Sequence, residues 1–209
     1  MTAAAPFHQD DVRGFLHRPQ GPLADGLVLA HGAGSNCNAP VLTAAADAFC
    51  AAGVAVLRID LPFRQRRPKG PPSPHTAAED RAGLRQAAAT MRKLVPGRVM
   101  LGGHSYGGRQ ATMLAADEPG VANALLLLSY PLHPPDKPTQ LRTAHFPKLR
   151  LPTVFVHGTT DPFGSTAEME AALQLIAGPA RLLPIAGAGH DLKRGKLDWR
   201  PVVEALRDA

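Results

Sequence analysis

A serine flanked by glycines is the part of this sequence best suited to chemistry. Residues 100–110 read MLGGHSYGGRQ, with Ser105 at the centre of the pattern G-x-S-x-G. In such a pattern a strand turns sharply into a helix and exposes the serine hydroxyl at the turn. Glycine inside a regular element costs roughly 0.5–1 kcal/mol relative to alanine, so a cluster indicates a sharp bend or a close approach. Ser105 is therefore a candidate nucleophile, although a similar turn can bind phosphate or simply close a strand–helix unit.

An aspartate and a histidine farther along the chain could activate this serine. The stretch VFVHGTTDPFG places Asp161 after a β-branched run, and LLPIAGAGHDLK places His190 in a glycine-rich loop. Each also has an ordinary interpretation, because aspartate before proline often caps a turn and a loop histidine is often a surface residue. Imidazole can take the serine proton and return it to a leaving group, and a carboxylate can hold the imidazole tautomer. We expect His190 to act as general base and Asp161 to orient it.

Donors for a developing oxyanion are predicted on the glycine-bearing turn in LVLAHGAGSN. Such a turn can direct a backbone N–H towards the serine, where it joins the N–H of the residue after the nucleophile. We assign Ala33 as the first donor, with Gly34 as a substitute, and Tyr106 as the second. We expect His31 to support this loop and His104 to pack beneath the serine turn. A plain strand–helix turn is the alternative interpretation.

Alternating strands and helices must position these residues. Apolar runs predict strands at 13–17, 26–31, 54–59, 98–102, 124–129, 153–157 and 181–184, and helical patterns lie at 39–52, 76–94, 106–116, 166–177 and 196–207. This alternation indicates an α/β protein with a mainly parallel sheet of about seven strands and helices on both faces. Thr76 with Glu79, and Ser165 with Glu168, have the spacing of a capping box. Loops after the carboxyl ends of parallel strands converge, so the candidate residues should meet at one edge.

Length and composition favour one soluble domain. We treat residues 1–209 as a single domain with little or no lid, since the two proline-rich segments interrupt a single repeating pattern. The start of the chain has no leader pattern and no run is long enough to cross a membrane, so we expect a cytoplasmic protein. Cys37 and Cys50 have no zinc spacing, and we expect neither a metal nor a cofactor.

The chain has a formal charge of +6, and basic residues cluster in two loops. One contains Arg64, Arg66, Arg67 and Lys69, and the other contains Lys193, Arg194 and Lys196. No zinc finger or RNA-binding aromatic signature accompanies them, so we expect no nucleic acid partner. The first loop follows a predicted strand near the catalytic edge, and guanidinium groups bind carboxylate or phosphate. Arg64 and Arg67 are therefore candidate substrate-binding residues, as is Phe163, with solvated loop charges and ordinary packing as the alternatives.

The combined motifs resemble an α/β-hydrolase of the small, nearly lidless kind, similar to dienelactone hydrolases. The resemblance runs from LAHGAG through GGHSYGG and HGTTDPFG to GAGHDL, and the order serine, aspartate, histidine is the one described for that fold. Dienelactone hydrolases carry a cysteine nucleophile where this chain has Ser105, so their substrate does not carry over. The segment RIDLPFRQRRPKGPP also resembles an uncharacterised bacterial group whose animal relatives include a subunit of a chromatin-modifying complex.

The sequence thus predicts a serine hydrolase acting on an ester, thioester or lactone of a small acyl substrate, with an anionic acyl group as one candidate. We expect it to be a monomer or homodimer. The competing hypothesis is an inactive hydrolase-fold scaffold that binds an acidic partner through its basic loops. A phosphate-binding module is less favoured, because the serine segment fits neither G-x-G-x-x-G nor the P-loop spacing.

Overall fold

A computed structural model describes residues 4–209, in which eight strands form one sheet. The strands are β1 (Ala4–Gln9), β2 (Val12–His17), β3 (Gly26–Ala30), β4 (Ala55–Ile59), β5 (Val99–His104), β6 (Ala124–Leu128), β7 (Thr153–Gly158) and β8 (Ala180–Ile185). The helices are α1 (Pro40–Ala51), α2 (Pro62–Arg66), α3 (Ala77–Leu94), α4 (Tyr106–Asp117), α5 (Thr166–Leu173) and α6 (Arg200–Arg207).

The sheet is mainly parallel, as predicted. Its strand order is β1-β2-β4-β3-β5-β6-β7-β8, and the pairs from β4 to β8 are all parallel. Strands β1 and β2 form an antiparallel hairpin that pairs antiparallel with β4. The chain leaves β3 and returns to β4 on one side of it, then crosses to β5 on the other side. This reversal of direction opens a crevice at the carboxyl ends of β3 and β5, where ligands bind in open α/β sheets.

Helices cover both faces of the sheet, which confirms the predicted layers. Helices α3, α4 and α5 pack on one face, and α1 and α6 pack on the other, each face with its own apolar core. Residues of the central strands alternate between the two cores, and β3, β4 and β6 are buried along their whole length. Burial on both faces explains why these strands are continuous apolar runs in the sequence.

The hairpin strand β1 is absent from the sequence prediction. Its residues AAPFHQ are mostly exposed and include one proline, so neither alternation nor an apolar run marks it. Pairing with β2 forms this edge strand, helped by Asp10, whose φ of 51° makes the tight turn. Aspartate tolerates this left-handed region better than most side chains.

Helix ends differ most clearly from prediction at three places. The predicted Thr76–Glu79 capping box is wrong: a 3-10 turn, Pro74–Thr76, precedes α3, and Ser73 caps that turn by accepting from the His75 N–H. The Ser165–Glu168 capping box is confirmed. Helix α5 ends at Leu173, four residues early, and α6 begins at Arg200, four residues late.

Candidate active site

The serine sits on a sharp turn between β5 and α4. Ser105 has φ 51° and ψ −115°, a backbone conformation that residues other than glycine rarely adopt. Its N–H donates to the Leu128 carbonyl (2.9 Å), which ties the turn to the end of β6. A Cβ at Gly103 would lie 2.2 Å from the Ala30 oxygen, and one at Gly107 would lie 2.7 Å from the same backbone. Only glycine at these two positions lets β3 approach the turn so closely, as the cluster predicted.

The structure brings the three candidate catalytic side chains into one hydrogen-bonded chain. The Ser105 Oγ lies 2.8 Å from Nε2 of His190, and Nδ1 of His190 lies 2.8 Å from Oδ2 of Asp161. A carboxylate only accepts, so the imidazole proton is on Nδ1 and Nε2 is free to accept from the serine hydroxyl. The Asp161 side chain is fully buried and that of His190 is 21% exposed. The candidate base is therefore held by a buried carboxylate and is itself partly exposed to solvent.

The loop after β7 fixes both partners of the serine. Oδ1 of Asp161 accepts from the Phe163 N–H (2.9 Å), which leaves Oδ2 aimed at the histidine. The Phe163 ring packs on the His190 ring with centroids 4.2 Å apart. At the base of the loop, Nε2 of His157 bonds the Gly164 carbonyl (2.7 Å). Phe163, predicted to contact substrate, is thus placed where it restricts the imidazole plane.

The histidine before the serine also fixes the base. Nε2 of His104 lies 2.8 Å from the His190 carbonyl oxygen, and the two rings are 5.2 Å apart. Because a carbonyl only accepts, His104 must carry its proton on Nε2. Burial lowers the pKa of His104, which keeps the ring neutral near pH 7. We expected this residue only to pack beneath the turn, but it connects the serine turn directly to the histidine loop.

The predicted oxyanion loop lies against the serine turn. A Cβ at Gly32 would be 3.5 Å from Cβ of Ser105, so the loop that carries Ala33 passes beside the nucleophile. No hydrogen bond between residues of the 4–209 range occupies the N–H of Ala33 or of Tyr106. Both N–H groups therefore lack an acceptor among the described residues, as oxyanion donors must before substrate binds. Gly34, the named substitute, is exposed and lies in open space.

His31 supports this loop, as its position in the sequence suggested. Its fully buried ring bonds the Gly32 carbonyl through Nδ1 (2.8 Å), and Nε2 accepts from the Leu61 N–H (3.1 Å). Burial lowers the pKa of His31, which agrees with a neutral ring that donates at one nitrogen and accepts at the other. The imidazole thereby holds the oxyanion loop to the segment after β4.

The structure contradicts the prediction that Arg64 binds substrate. Its side chain is 6% exposed, and its guanidinium donates to four carbonyls: Ser35 (2.7 Å), Ala33 (2.9 Å), Gly70 (3.0 Å) and Arg67 (3.1 Å). These bonds consume nearly all its donors, so Arg64 is not placed to bind a substrate carboxylate. It joins the oxyanion loop to the loop after α2. Sequence alone cannot distinguish a guanidinium that binds carbonyls from one that binds a ligand.

The other basic side chains of the two loops lie at the surface. Arg67 is exposed and donates to the Pro71 carbonyl (2.9 Å), and Arg66 pairs with Glu79. The second loop is exposed at Lys193, which pairs with Asp191 (3.4 Å). These observations favour the solvated-charge interpretation for most of the basic cluster.

Sequence reasoning missed Asp80, a fully buried carboxylate near the site. Its Oδ2 accepts from the Tyr106 hydroxyl (2.7 Å) and its Oδ1 accepts from the Phe63 N–H (3.0 Å). Burial raises the pKa of Asp80, and the two donors oppose that rise. One signal was present: Asp80 is in phase with the apolar stripe of α3 at Leu84, Ala87 and Met91. The carboxylate anchors the side chain of Tyr106, the residue predicted to supply the second oxyanion donor.

The structure reveals no metal centre or membrane helix in the part of the chain it describes. Between residues 4 and 209, histidine, cysteine and acidic side chains form no cluster of three suited to a metal ion. None of the helices in this range has the length and apolar character needed to span a bilayer. Cys37 and Cys50 are buried, and burial, followed by the charge of Asp60, raises the pKa of the Cys37 thiol to about 12.

Comparisons with known proteins agree on the fold. A family model described as an alpha/beta hydrolase domain matches residues 24–206. The dienelactone hydrolase of Anabaena variabilis superposes with a TM-score of 0.68 at 23% identity, covering 98% of this chain and 93% of that one. Est1E of Butyrivibrio proteoclasticus, also solved with ferulic acid bound, gives 0.75 at 19%, covering 98% and 96%. XC6422 of Xanthomonas campestris, described as a serine hydrolase without a lid, gives 0.72 at 17%, covering 99% and 94%.

One curated protein matches a shorter segment more closely. Polyketide synthase ThaQ of Burkholderia thailandensis is 54% identical over 68 residues, which is 32% of this chain. The match spans only 3% of the synthase. At these identities the structural neighbours show the fold, and the site itself must carry the function.

Proposed function

Since this chain belongs to the family of alpha/beta hydrolase domains, we propose that it is a serine hydrolase that cleaves an ester, thioester or lactone through Ser105, His190 and Asp161. The observation that carries the proposal is the hydrogen-bonded chain of these three side chains, with both distances at 2.8 Å. The strained serine backbone and the two N–H groups without acceptors are what the same reaction requires.

The proposed reaction begins with proton transfer from Ser105. His190 takes the hydroxyl proton at Nε2 while Oγ attacks the substrate carbonyl carbon, and Asp161 stabilises the imidazolium that forms. The carbonyl oxygen gains negative charge and is held by the N–H groups of Ala33 and Tyr106. His190 then returns its proton to the leaving group, and a water activated by the same imidazole hydrolyses the acyl-serine.

The open edge of the sheet favours a small substrate. Within residues 4–209, the long segment 129–152 that links β6 and β7 contains only a 3-10 turn, so it forms no helical lid over the serine. A site without an extended binding subdomain suits a compact ester or lactone better than a peptide. The lidless serine hydrolase and the ferulate-bound Est1E among the structural neighbours support this choice.

Covalent labelling tests the proposal without knowledge of the substrate. The purified protein is treated with a fluorophosphonate probe beside Ser105→Ala and His190→Ala, and Ser165→Ala serves as a control that removes a hydroxyl outside the site. We expect labelling of the wild-type protein and of Ser165→Ala, and none of the two site variants. Folded wild-type protein that fails to react would refute the proposal and favour the scaffold hypothesis, in which the exposed basic loops bind an acidic partner.

Two further expectations from the sequence stay predictions. These are the cytoplasmic location and the monomeric or homodimeric state. Size-exclusion chromatography with light scattering tests the second, and a mass above twice 22.0 kDa would contradict it.

A further inference from the structure

A cationic pocket lies beside the serine turn, between the amino-terminal ends of α3 and α4. It has a volume of about 420 Å³, and its walls include Tyr106 and Arg109 from α4, Arg81 from α3, and His75 from the proline-rich loop. Tyr106 directly follows Ser105, so the pocket borders the first turn of the helix that begins at the serine, while Ser105 itself does not line it. Neither arginine is among the site residues predicted from the sequence.

Arg109 is attached to the same turn as the nucleophile. Its N–H donates to the Ser105 carbonyl (3.0 Å), so it lies one helical turn beyond the serine. Residues four apart share a helix face, and long side chains in a helix lean towards its amino-terminal end. The Arg109 side chain therefore starts on the face of α4 that carries the serine.

No carboxylate of the described residues pairs with the positive charge at this pocket. In the described range neither Arg81, Arg109 nor Arg142 belongs to an ion pair. Burial, and then the charge of Arg109, lowers the pKa of Arg142 and that of His145, the latter to about 4. A neutral imidazole and a second arginine thus surround Arg109, and neither can balance its charge.

Polar donors are also left over at this position. Nε of Arg109 is buried and finds no acceptor among residues 4–209. Nη1 of Arg81 donates to Oε1 of Gln110 (3.0 Å), and the other donors of its guanidinium have no hydrogen-bond acceptor among the described residues. The nearest acidic side chain on α3, Asp80, already accepts from Tyr106 and Phe63. Arg109 also contacts the Tyr130 hydroxyl, an acceptor that carries no charge. A buried guanidinium donor without an acceptor is costly, so the side chain gains stability when it turns this donor towards an anion in the pocket.

We propose that Arg109 and Arg81 bind the carboxylate of an anionic acyl group whose ester carbonyl lies at Ser105. This inference rests on the proposed hydrolase function and assigns its substrate class. It replaces Arg64 and Arg67 as the anion-binding residues, because the first is occupied by carbonyls and the second lies at the surface. Both arginines line the same pocket, and its volume has room for a short acyl chain.

A matched pair of esters tests the specificity. The p-nitrophenyl monoester of glutaric acid carries a terminal carboxylate, and p-nitrophenyl pentanoate is a neutral ester of the same chain length. We expect kcat/KM of the wild-type protein to favour the acidic ester, and Arg109→Gln to lower it for that ester by about tenfold to hundredfold, the usual range for a charge-assisted hydrogen bond. Hydrolysis of the neutral ester should change by less than about threefold. Arg81→Gln should act in the same direction, and Arg67→Gln should change neither rate.

A binding measurement separates this inference from the hydrolase proposal. Calorimetry with the Ser105→Ala protein measures binding of monomethyl glutarate, and we expect binding that disappears when Arg109→Gln is added. Loss of a purely structural arginine would lower the melting temperature, whereas removal of an unbalanced charge should leave it unchanged or raise it. Equal rates on the two esters in a protein that reacts with fluorophosphonate would overturn the carboxylate site and leave the hydrolase intact. A protein that is inert to both esters and to the probe, yet binds monomethyl glutarate through Arg109, would overturn the hydrolase proposal and leave the carboxylate site intact.

Discussion

Replacing the serine by glycine should stabilise the protein relative to replacing it by alanine. A non-glycine residue in a sparsely populated region such as φ 51°, ψ −115° carries about 1–3 kcal/mol of strain. Glycine removes that strain but loses about 0.4–1 kcal/mol through the greater freedom of the unfolded chain. Both variants lose the hydrogen bond from Ser105 to His190, so that contribution cancels between them. The net difference should be about 0.5–2 kcal/mol in favour of Ser105→Gly.

Thermal unfolding followed by circular dichroism measures this difference. For a domain of this size 1 kcal/mol shifts the melting temperature by about 2–4 °C, so Ser105→Gly should melt roughly 1–8 °C above Ser105→Ala. Ala89→Gly, at an exposed position inside α3, provides the opposite control and should lose about 1 kcal/mol. If Ser105→Gly melts below Ser105→Ala while the α3 control behaves as expected, the serine backbone is not strained and the reasoning fails.

Three further changes probe other parts of the structure. Gly107→Ala should prevent proper folding, because its Cβ would lie 2.7 Å from the β3 backbone, whereas the Cβ of Gly34→Ala would meet open space. Soluble yield and melting temperature measure the difference between the two variants, and equal stability would contradict the prediction. Cys37 and Cys50 should resist Ellman's reagent at pH 8 until the chain is denatured, since both are buried and the Cys37 pKa is about 12; fast reaction of the native protein would disagree. His145 has a pKa of about 4 in the folded protein against an ordinary 6.5, so its contribution to stability is complete above pH 6.5 and is lost as the pH falls towards 4. The melting temperature of His145→Gln should therefore fall less steeply than that of the wild-type protein between pH 6.5 and 4. An unchanged slope would count against this prediction.

The candidate triad could be predicted because its signals are local and its assembly follows from topology. Each of Ser105, Asp161 and His190 directly follows a strand or lies in the loop after one, and parallel strands bring those loops to one edge. The glycines around Ser105 mark the turn without reference to any distant residue. Neither inference depends on side-chain packing.

Features that depend on distant partners escaped prediction. Arg64 differs from its neighbours Arg66 and Arg67 only in direction, since it turns inward to carbonyls supplied by segments some thirty residues away and nearby in its own loop. The edge strand Ala4–Gln9 is formed by pairing rather than by its own composition. Before α3, the side chain of Ser73 caps a 3-10 turn and that of Thr76 caps nothing, because Pro74 favours the first position of a turn.

Because Arg64 points inward, the basic segment after β4 has one side chain that cannot be changed without structural cost and several that can. The Arg64 guanidinium joins the segment to the loop that carries Ala33. A substitution of Arg64 should therefore displace the proposed oxyanion donor, although Arg64 does not contact the substrate. The side chains of Arg66, Arg67 and Lys69 are exposed and take no part in the hydrogen bonds of the Arg64 guanidinium. An engineer could therefore reverse the charge of this surface, for solubility or for coupling to another protein, without disturbing the machinery beneath it.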